Sequence, residues 1–475
     1  MRIYNTLKKG YEDVKFDKIV KMYVCGITAY DYSHIGHARS AVFFDTIRRF
    51  LEYLGHEVIY VQNFTDVDDK IIKRAVEEGK TQKEVADRFI EEFLRDMEEL
   101  NVRRATYHPK VTDHIQEIIE AVKRLVEAGY AYEVEAENGK DVYFHVPSFE
   151  SYGKLSGISL DELNRHRVEP DPRKKDVKDF ALWKAAKEDD LKAEAVFDSP
   201  WGKGRPGWHI ECSVLSTKYL GTPFDIHGGG KDLVFPHHEN ERAQSFALYG
   251  VEPVRYWLHN DFVTIEGEKM SKSLGNIIRI RDGVREFGGE VLRYFLISAH
   301  YRTPLDYSRD AMERANKSYE ALLNTVQLMD MELAYMETFR EYGESAEGET
   351  LDLDEYEKKF VQAMEDDFNT PRALAVLHEA STYINRMVSG SVVTKDSLQQ
   401  AFDTFIRLCN ILGLFEKYKR VPVLSQEDVR LIKEREEARK RRDFKKADAI
   451  RDGFREKGIQ LIDTPKGTRW RRIEV

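Results

Sequence analysis

Lys21-Met22-Tyr23-Val24-Cys25-Gly26-Ile27-Thr28-Ala29-Tyr30-Asp31-Tyr32-Ser33-His34-Ile35-Gly36-His37 is the stretch that decides the fold. Its first five residues read as a short buried strand and Gly26 to Ser33 as a loop. From His37 to Tyr53 apolar residues at Ala41, Phe44, Ile47, Phe50 and Leu51 recur at helical spacing. Gly55 ends that helix, and Val58-Ile59-Tyr60-Val61 is a second strand. Strand, helix and strand in this order make a βαβ unit, whose ligand site lies at the carboxyl ends of its strands. Cys25 and Asn63 to Asp66 emerge there.

Outward from this unit, helical patterns run from Thr81 to Leu100 and from Asp113 to Ala128, and Tyr130 to Val146 alternates in the β manner with a turn at Gly139. Pro170 to Lys178 is charged and proline-bearing, as an exposed loop is, so residues 113–192 read as an insertion in the α/β fold. The fold resumes at Phe224-Asp225-Ile226-His227, a strand entering Gly228-Gly229-Gly230, where the backbone can approach a ligand closely. Pro236 opens a helix expected to continue through Ala247. Beyond Ala299, apolar stripes through Ala315 to Met329, Phe360 to Met364, Ala373 to Met387 and Leu398 to Leu414 have bundle periodicity. Glu427 to Arg455 reads as one further helix, and Ile459 to Ile462 with Trp470 to Val475 as a small terminal β element.

With 475 residues the chain has volume for two or three domains. Three cysteines, Cys25, Cys212 and Cys409, are too few for a disulfide framework and point to a reducing compartment. The N-terminus lacks the apolar core of a secretion signal, and no run of about 18 apolar residues spans a membrane, so the expected location is the cytoplasm. The formal charge of −10 is unevenly spread: residues 433–475 hold 15 Lys/Arg against 9 Asp/Glu, whereas residues 329–368 hold 14 Asp/Glu against 3 Lys/Arg. The acidic segment faces water, and the basic end is either a solvated helix or a surface for phosphate.

Two short motifs carry chemistry. His34-Ile35-Gly36-His37 opens a helix, where unpaired backbone N–H groups and a partial positive charge accept phosphate, and Gly36 lets an adenine ring lie against the backbone. Two histidines that merely cap a helix read the same. Lys269-Met270-Ser271-Lys272-Ser273, framed by Gly267 and Gly275, offers two long cationic side chains to the charge that grows on departing pyrophosphate. Alone it is a solvated turn; the two motifs together, in this order, describe a site for ATP. His237 and Glu241, four apart on the expected helix, project from one face, and with Cys212 and Cys25 they make a Cys₂HisGlu set that suits zinc. Spacing alone favours a closed structural site, since a four-ligand set is usually closed. The nearness of Cys25 to the ATP motif and the weakness of a carboxylate ligand favour a site open to a substrate thiol. His227, His238 and Glu239 are neighbours able to support the ligands, and Cys409 reads as a buried helical cysteine.

These strings resemble the class I aminoacyl-tRNA synthetases and, among them, the cysteinyl-tRNA synthetase family. Carrying the resemblance are Met22 to Thr28, Asn63-Phe64-Thr65-Asp66-Val67-Asp68-Asp69-Lys70-Ile71, Phe180 to Lys184, Gly207 to Ser213, Phe224 to Glu241, Asp366 to Pro371 and Ala447 to Asp452; it fades between Met329 and Thr350. It implies an α/β architecture: a Rossmann-like parallel-sheet catalytic domain in residues 1–112 and 193–265, an inserted connective segment in 113–192, a lysine-loop and stem-contact region in 266–309, a helical bundle in 310–420 and a basic anticodon-recognition module in 421–475.

The resemblance also implies one zinc ion per chain on Cys25, Cys212, His237 and Glu241, with the substrate thiolate on the same ion. Gly26, Thr65, Trp208 and Asp232 are implied to line the amino-acid pocket. His34, Gly36, His37, Gly229, His259 and Lys272 are implied to surround ATP, which enters with Mg²⁺, and His34, His37, Lys269 and Lys272 to be catalytic. The implied reaction joins L-cysteine to ATP as cysteinyl-adenylate, releasing pyrophosphate, then passes the cysteinyl group to the terminal adenosine of tRNA(Cys); the implied state is a monomer. Arg469, Trp470, Arg471 and Arg472 put charges beside a stacking surface suited to unpaired anticodon bases. Three rivals are a cysteine ligase acting on an amino sugar, a catalytically silent RNA-binding relative and a metabolic nucleotidyltransferase. The helical region from Asp310 and the basic end argue against the first, the intact motifs against the second, and the chain length against the third.

Overall fold

Ile19–Val24, Glu57–Gln62, Phe224–Gly230 and Val254–Asn260 form a fully parallel sheet in the order Val254–Asn260, Phe224–Gly230, Ile19–Val24, Glu57–Gln62. From Ile19–Val24 the chain adds one neighbour on one side and later two on the other. The crevice between Ile19–Val24 and Phe224–Gly230 is therefore the point where strand order reverses, the place where open α/β sheets bind ligands. Tyr23 stands opposite His227 and Val24 opposite Gly228, which sets Cys25 beside the glycine run. Val20, Met22, Tyr23, Ile226, Trp257 and Leu258 are all buried, as a sheet covered on both faces requires.

The computed structural model describes residues 1–158, 171–270, 275–339, 348–464 and 467–473. They fall into two compact units, Met1–Ala311 with Glu365–Phe368, and Met312–Met364 with Asn369–Val475. In the first unit an antiparallel sheet runs Ala131–Ala136, Gly139–Phe144, Phe180–Ala185, Gly204–Pro206. Its fourth strand lies past Lys192, where the sequence reading ended the insertion; three residues that include a glycine and a proline carry no readable period. Val263–Ile265 and Glu268–Lys269 form a hairpin whose two turn residues, Glu266 (φ 50°) and Gly267 (φ 80°), are both left-handed, as a two-residue hairpin turn demands.

The helix expected from Pro236 starts later, at Glu239, and runs to Tyr249. Phe235, preceding a proline, is extended (φ −138°, ψ 133°), and the turn Val234–His238 is irregular. In the second unit the helices Asp354–Glu365, Thr370–Gly390 and Lys395–Ile411 precede two more, Gln426–Lys440 and Phe444–Glu456. The single helix expected over Glu427 to Arg455 is thus broken, at Arg442, whose φ of 61° no helix accepts. Cys409 is buried in its helix. Among the described residues no helix is long and apolar enough to cross a membrane.

Candidate active site

A cleft of about 780 Å³ opens over the carboxyl ends of the parallel strands, and Cys25, Gly26, His34, His37, Trp208 and Asp232 are all in its wall. Donor atoms of Cys25, Cys212, His237 and Glu241 lie within 4.8 Å of one another. The two sulfurs are 3.7 Å apart, Cys25 Sγ is 3.4 Å from Glu241 Oε1, and His237 Nε2 is 3.0 Å from the same oxygen. The four come from a strand end, the helix Trp208–Leu220, the irregular turn and the helix after it.

Burial raises the Cys25 thiol well above its ordinary range, with Cys212 and Glu241 adding to the effect. The hydrogen bond from Cys25 holds Cys212 down at about 6 despite its burial, helped by His237. Burial works against the charge on His237, but Glu241 and Cys212 outweigh it and lift the imidazole to about 10. Burial likewise opposes ionisation of Glu241, yet His227 and His237 hold it well below the usual carboxylate range. A thiolate, a carboxylate and a proton-bearing imidazole within reach of one another are what a divalent cation fits, by taking the place of protons.

Behind these four donors the support is largely histidine. His227 Nε2 is 2.8 Å from Glu241 Oε2, and His209 Nδ1 is 2.9 Å from His237 Nδ1. Burial keeps His209 neutral, so it accepts from His237 and leaves Nε2 of that ring toward Glu241. A chain runs from Thr6 Oγ1 through His259 (2.8 Å) and His238 (2.7 Å) to Cys25 Sγ (3.4 Å). Burial depresses the basicity of both rings, His238 strongly and His259 to about 3. Cys25 directs its proton to Cys212, so its sulfur accepts from His238 and one direction of donation is consistent: Thr6 to His259, His259 to His238, His238 to sulfur. His227 and His238 were legible as supports. Glu239 instead faces Ser156 and Arg242, and His209 and Thr6 carried no sequence signal.

His34 and His37 are stacked, 3.8 Å between ring centroids. They cap the helix Ile35–Tyr53 reciprocally: His34 Nδ1 accepts from Gly36 N, and His37 Nδ1 from His34 N. Capping and ligand binding are therefore not alternatives. With each Nδ1 an acceptor, the neutral ring carries its proton on Nε2. Gly36 lines the cleft, and so does Met270, next to Lys269, whose backbone closes the short hairpin. The Lys269 side chain and all of Lys272 lie outside the described residues.

Three expected contacts are placed differently. Thr65 is buried, with Oγ1 3.0 Å from Glu211 Oε2. His259 has both nitrogens engaged in the chain above. A Cβ on Gly229 would meet Leu233 and His238, and one on Gly228 would enter the Phe44 ring. Those glycines serve packing; it is Gly230 that lines the cleft. Sequence reasoning passed over Asn260, at the end of its strand, which lines the cleft with a buried Oδ1 that has no partner among the described residues. Asp232 is in the cleft wall, and Trp208, 38% exposed, lays its ring 4.2 Å from that of His237.

At the basic end the expectation for Trp470 and Arg469 fails. Trp470 is fully buried with Val421, Ile432, Phe454 and Leu461, and its indole N–H donates to Pro422 O at 2.8 Å. Arg469 is paired with Glu332 at 2.8 Å and covers the Tyr335 ring. A strand turns successive residues to opposite faces, so one aromatic among arginines faces the core as readily as solvent. Arg471 and Arg472 bond Gln460 Oε1 and Arg420 O. The exposed aromatic here is Phe444, 61% accessible, just after the break at Arg442.

A family model for the class I (C) tRNA synthetase catalytic domain matches residues 12–317, one for the DALR domain residues 359–416, and one for the cysteinyl-tRNA ligase anticodon binding domain residues 421–471. Cysteine–tRNA ligases of Archaeoglobus fulgidus and Thermococcus onnurineus are 65% and 49% identical, over 99% and 100% of this chain and 100% of each relative. Among solved structures, Mycobacterium tuberculosis methionyl-tRNA synthetase in complex with methionyl-adenylate is similar at TM-score 0.61 and 18% identity, covering 83% of this chain and 90% of that one. A LeuRS of Agrobacterium radiobacter in ternary complex with tRNA reaches 0.58 at 11% identity over 84% of each chain. Likenesses this distant speak for the fold alone. With its catalytic, DALR and anticodon-binding segments all matched and relatives aligned end to end, the chain belongs to the cysteinyl-tRNA synthetase family, ATP-dependent ligases that join cysteine to tRNA.

Proposed function

We propose that the cleft activates cysteine at a zinc ion held by Cys25, Cys212, His237 and Glu241. The observation that carries this reading is the convergence of those four donors at the cleft that also has the His34 and His37 helix start in its wall. Zinc, when bound, supplies a soft Lewis acid that prefers thiolate to the hydroxyl of serine, analogues that an apolar pocket separates by only about 10- to 200-fold. Gly26 and Trp208 border the amino acid, and Asp232 faces its ammonium group. Thr65 positions Glu211 instead of touching substrate.

The residues around ATP work by placement and charge. The Nε2–H groups of His34 and His37 receive phosphate, Lys269 and Lys272 meet the leaving pyrophosphate, and Asn260 Oδ1 accepts from the adenosine. ATP enters with Mg²⁺. The cysteine carboxylate attacks the α-phosphorus in line, and a ribose hydroxyl of the terminal adenosine then attacks the mixed anhydride, so no protein nucleophile is needed.

In this reading residues 1–112 and 193–265 perform activation, 113–192 and 266–309 attend to the acceptor end, 310–420 form the bundle and 421–475 read the anticodon. The protein works as a cytoplasmic monomer. Trp470 and Arg469 leave the anticodon surface; Arg471 and Arg472 remain and are joined by Phe444 with Arg441, Arg442 and Lys445. Purified protein is expected to contain zinc, to exchange pyrophosphate with cysteine and to charge tRNA(Cys). Strong serine-dependent exchange by zinc-loaded protein would refute the selectivity.

A further inference from the structure

Gln62 ends the edge strand of the parallel sheet, on the opposite side of Cys25 from Gly230 and Asn260. Its backbone is fully engaged. Its N–H donates to Tyr107 O at 3.0 Å, and its carbonyl lies 3.0 Å from His108 Nδ1. Because His108 Nε2 accepts from Ala105 N at 3.1 Å, Nδ1 carries the proton and donates to Gln62. The carboxamide is different: Gln62 is only 8% exposed, yet no hydrogen bond reaches its side chain among the described residues. Its amide atoms are not among the fully enclosed side-chain atoms, so the carboxamide meets the cleft, where a ligand can supply the hydrogen bonds that the protein does not.

Gln62 and Phe93 line the main cleft and also a second chamber of about 230 Å³ behind it. Leu94, Met97 and Val102 give that chamber apolar walls, and Glu98, Arg103, Arg104 and His108 give it polar ones. Arg104 is exposed, with no ion pair to its side chain among the described residues. A Cβ on Gly26 would come within 3.5 Å of Gln62 Cγ, so the carboxamide adjoins the amino-acid end of the cleft. An apolar slot with an aromatic wall, an unpaired amide and a cation beside it has the chemistry of a nucleotide site. Glutamine pairs with the adenine edge through its N–H and C=O together. ATP is assigned to the Gly230 and Asn260 side, which leaves this side for the other nucleotide of the reaction.

We propose that Gln62 and the chamber behind it receive the base of the terminal adenosine of tRNA and so aim its ribose at the cysteinyl-adenylate. The inference rests on the reading of the cleft given above. The test separates the two steps in Gln62→Met and Gln62→Ala, with thermal melting to show that each folds. Single-turnover transfer from preformed enzyme-bound adenylate is expected to fall about 10-fold or more, while cysteine-dependent pyrophosphate exchange changes by less than about twofold. A tRNA ending in purine riboside, which lacks the exocyclic amine, is expected to react about 10-fold more slowly with the unaltered protein and no more slowly than ordinary tRNA with Gln62→Met. An equal fall in exchange would assign Gln62 to cysteine or ATP and overturn the proposal, as would unchanged transfer. Failure of exchange in the unaltered protein would instead defeat the reading of the cleft.

Discussion

Both compact units place an aromatic ring beside polar side chains, and the two arrangements work in opposite ways. In the catalytic unit Trp208 is half exposed over a dry cluster in which Cys212, His237 and Glu241 are at most 2% accessible. In the C-terminal unit Trp470 is the core, and chemistry able to meet RNA lies on the exposed run Arg441 to Lys446. A metal site needs donors turned inward, where the only partner able to neutralise them is the ion. A single-stranded RNA surface needs rings and cations turned outward. Residue type alone therefore does not locate function; the direction in which the backbone points it does.

The largest effect tests the dry side. Cys212→Ala removes a donor that lies 3.7 Å from Cys25 Sγ and that is held as thiolate. Bound zinc, measured by atomic emission, and cysteine-dependent exchange should both fall by more than the ~10- to 100-fold typical of losing a supporting partner. His209→Ala, which removes such a partner from His237, should fall within that range. Equal, small losses in the two variants would erase the distinction between ligand and support.

Next in size is Trp470→Ala, expected to destabilise the C-terminal unit by about 3–5 kcal/mol, read by denaturant unfolding. The loss would come from the core cluster that also holds Ala334, Phe454 and Leu461, so charging fails through unfolding and not through a lost base contact. Deleting residues 433–475 would do the same, which makes point substitutions the sharper probe. Phe444→Ala should leave the melt unchanged and raise the Michaelis constant for tRNA(Cys) by an amount equivalent to about 1–3 kcal/mol per stacked base, with exchange untouched. Were Trp470→Ala stable and Phe444→Ala silent, the assignment of inside and outside would be reversed.

Much of this was legible in the sequence because the signals were local. The parallel βαβ start follows from Lys21 to Val61, and the placing of Cys25 at a strand end follows from it. The i, i+4 spacing of His237 and Glu241 survived even though the helix starts later than Pro236. What escaped was non-local or conformational. His209, Thr6 and Gln62 reach the site through tertiary packing that no period reports. The break at Arg442 depends on one left-handed residue in an otherwise unbroken helical pattern, and with it went the exposure of Phe444. Gly229 looked like a ligand glycine because freedom of approach reads the same whether a phosphate or a side chain approaches.

The smallest expected effect is the most specific to the outward-facing end. Lys445 is exposed beside Phe444, and no ion pair reaches its side chain among the described residues, so its charge is available to a phosphate at little cost of desolvation. Each phosphate neutralised on a single strand releases counterions, and a plot of log affinity against log salt steepens by about 0.7 per contact. Lys445→Ala should therefore flatten the salt dependence of tRNA(Cys) binding by roughly 0.7 while hardly changing affinity at high salt, where screening already weakens the contact. Cysteine-dependent exchange should keep one salt profile in both proteins. Lys445 belongs to the other compact unit and takes no part in the chemistry of exchange, so its removal leaves that profile as it is. A parallel change in both salt profiles would mean that Lys445 acts on the protein as a whole, and the contrast between the two regions would lose its electrostatic basis.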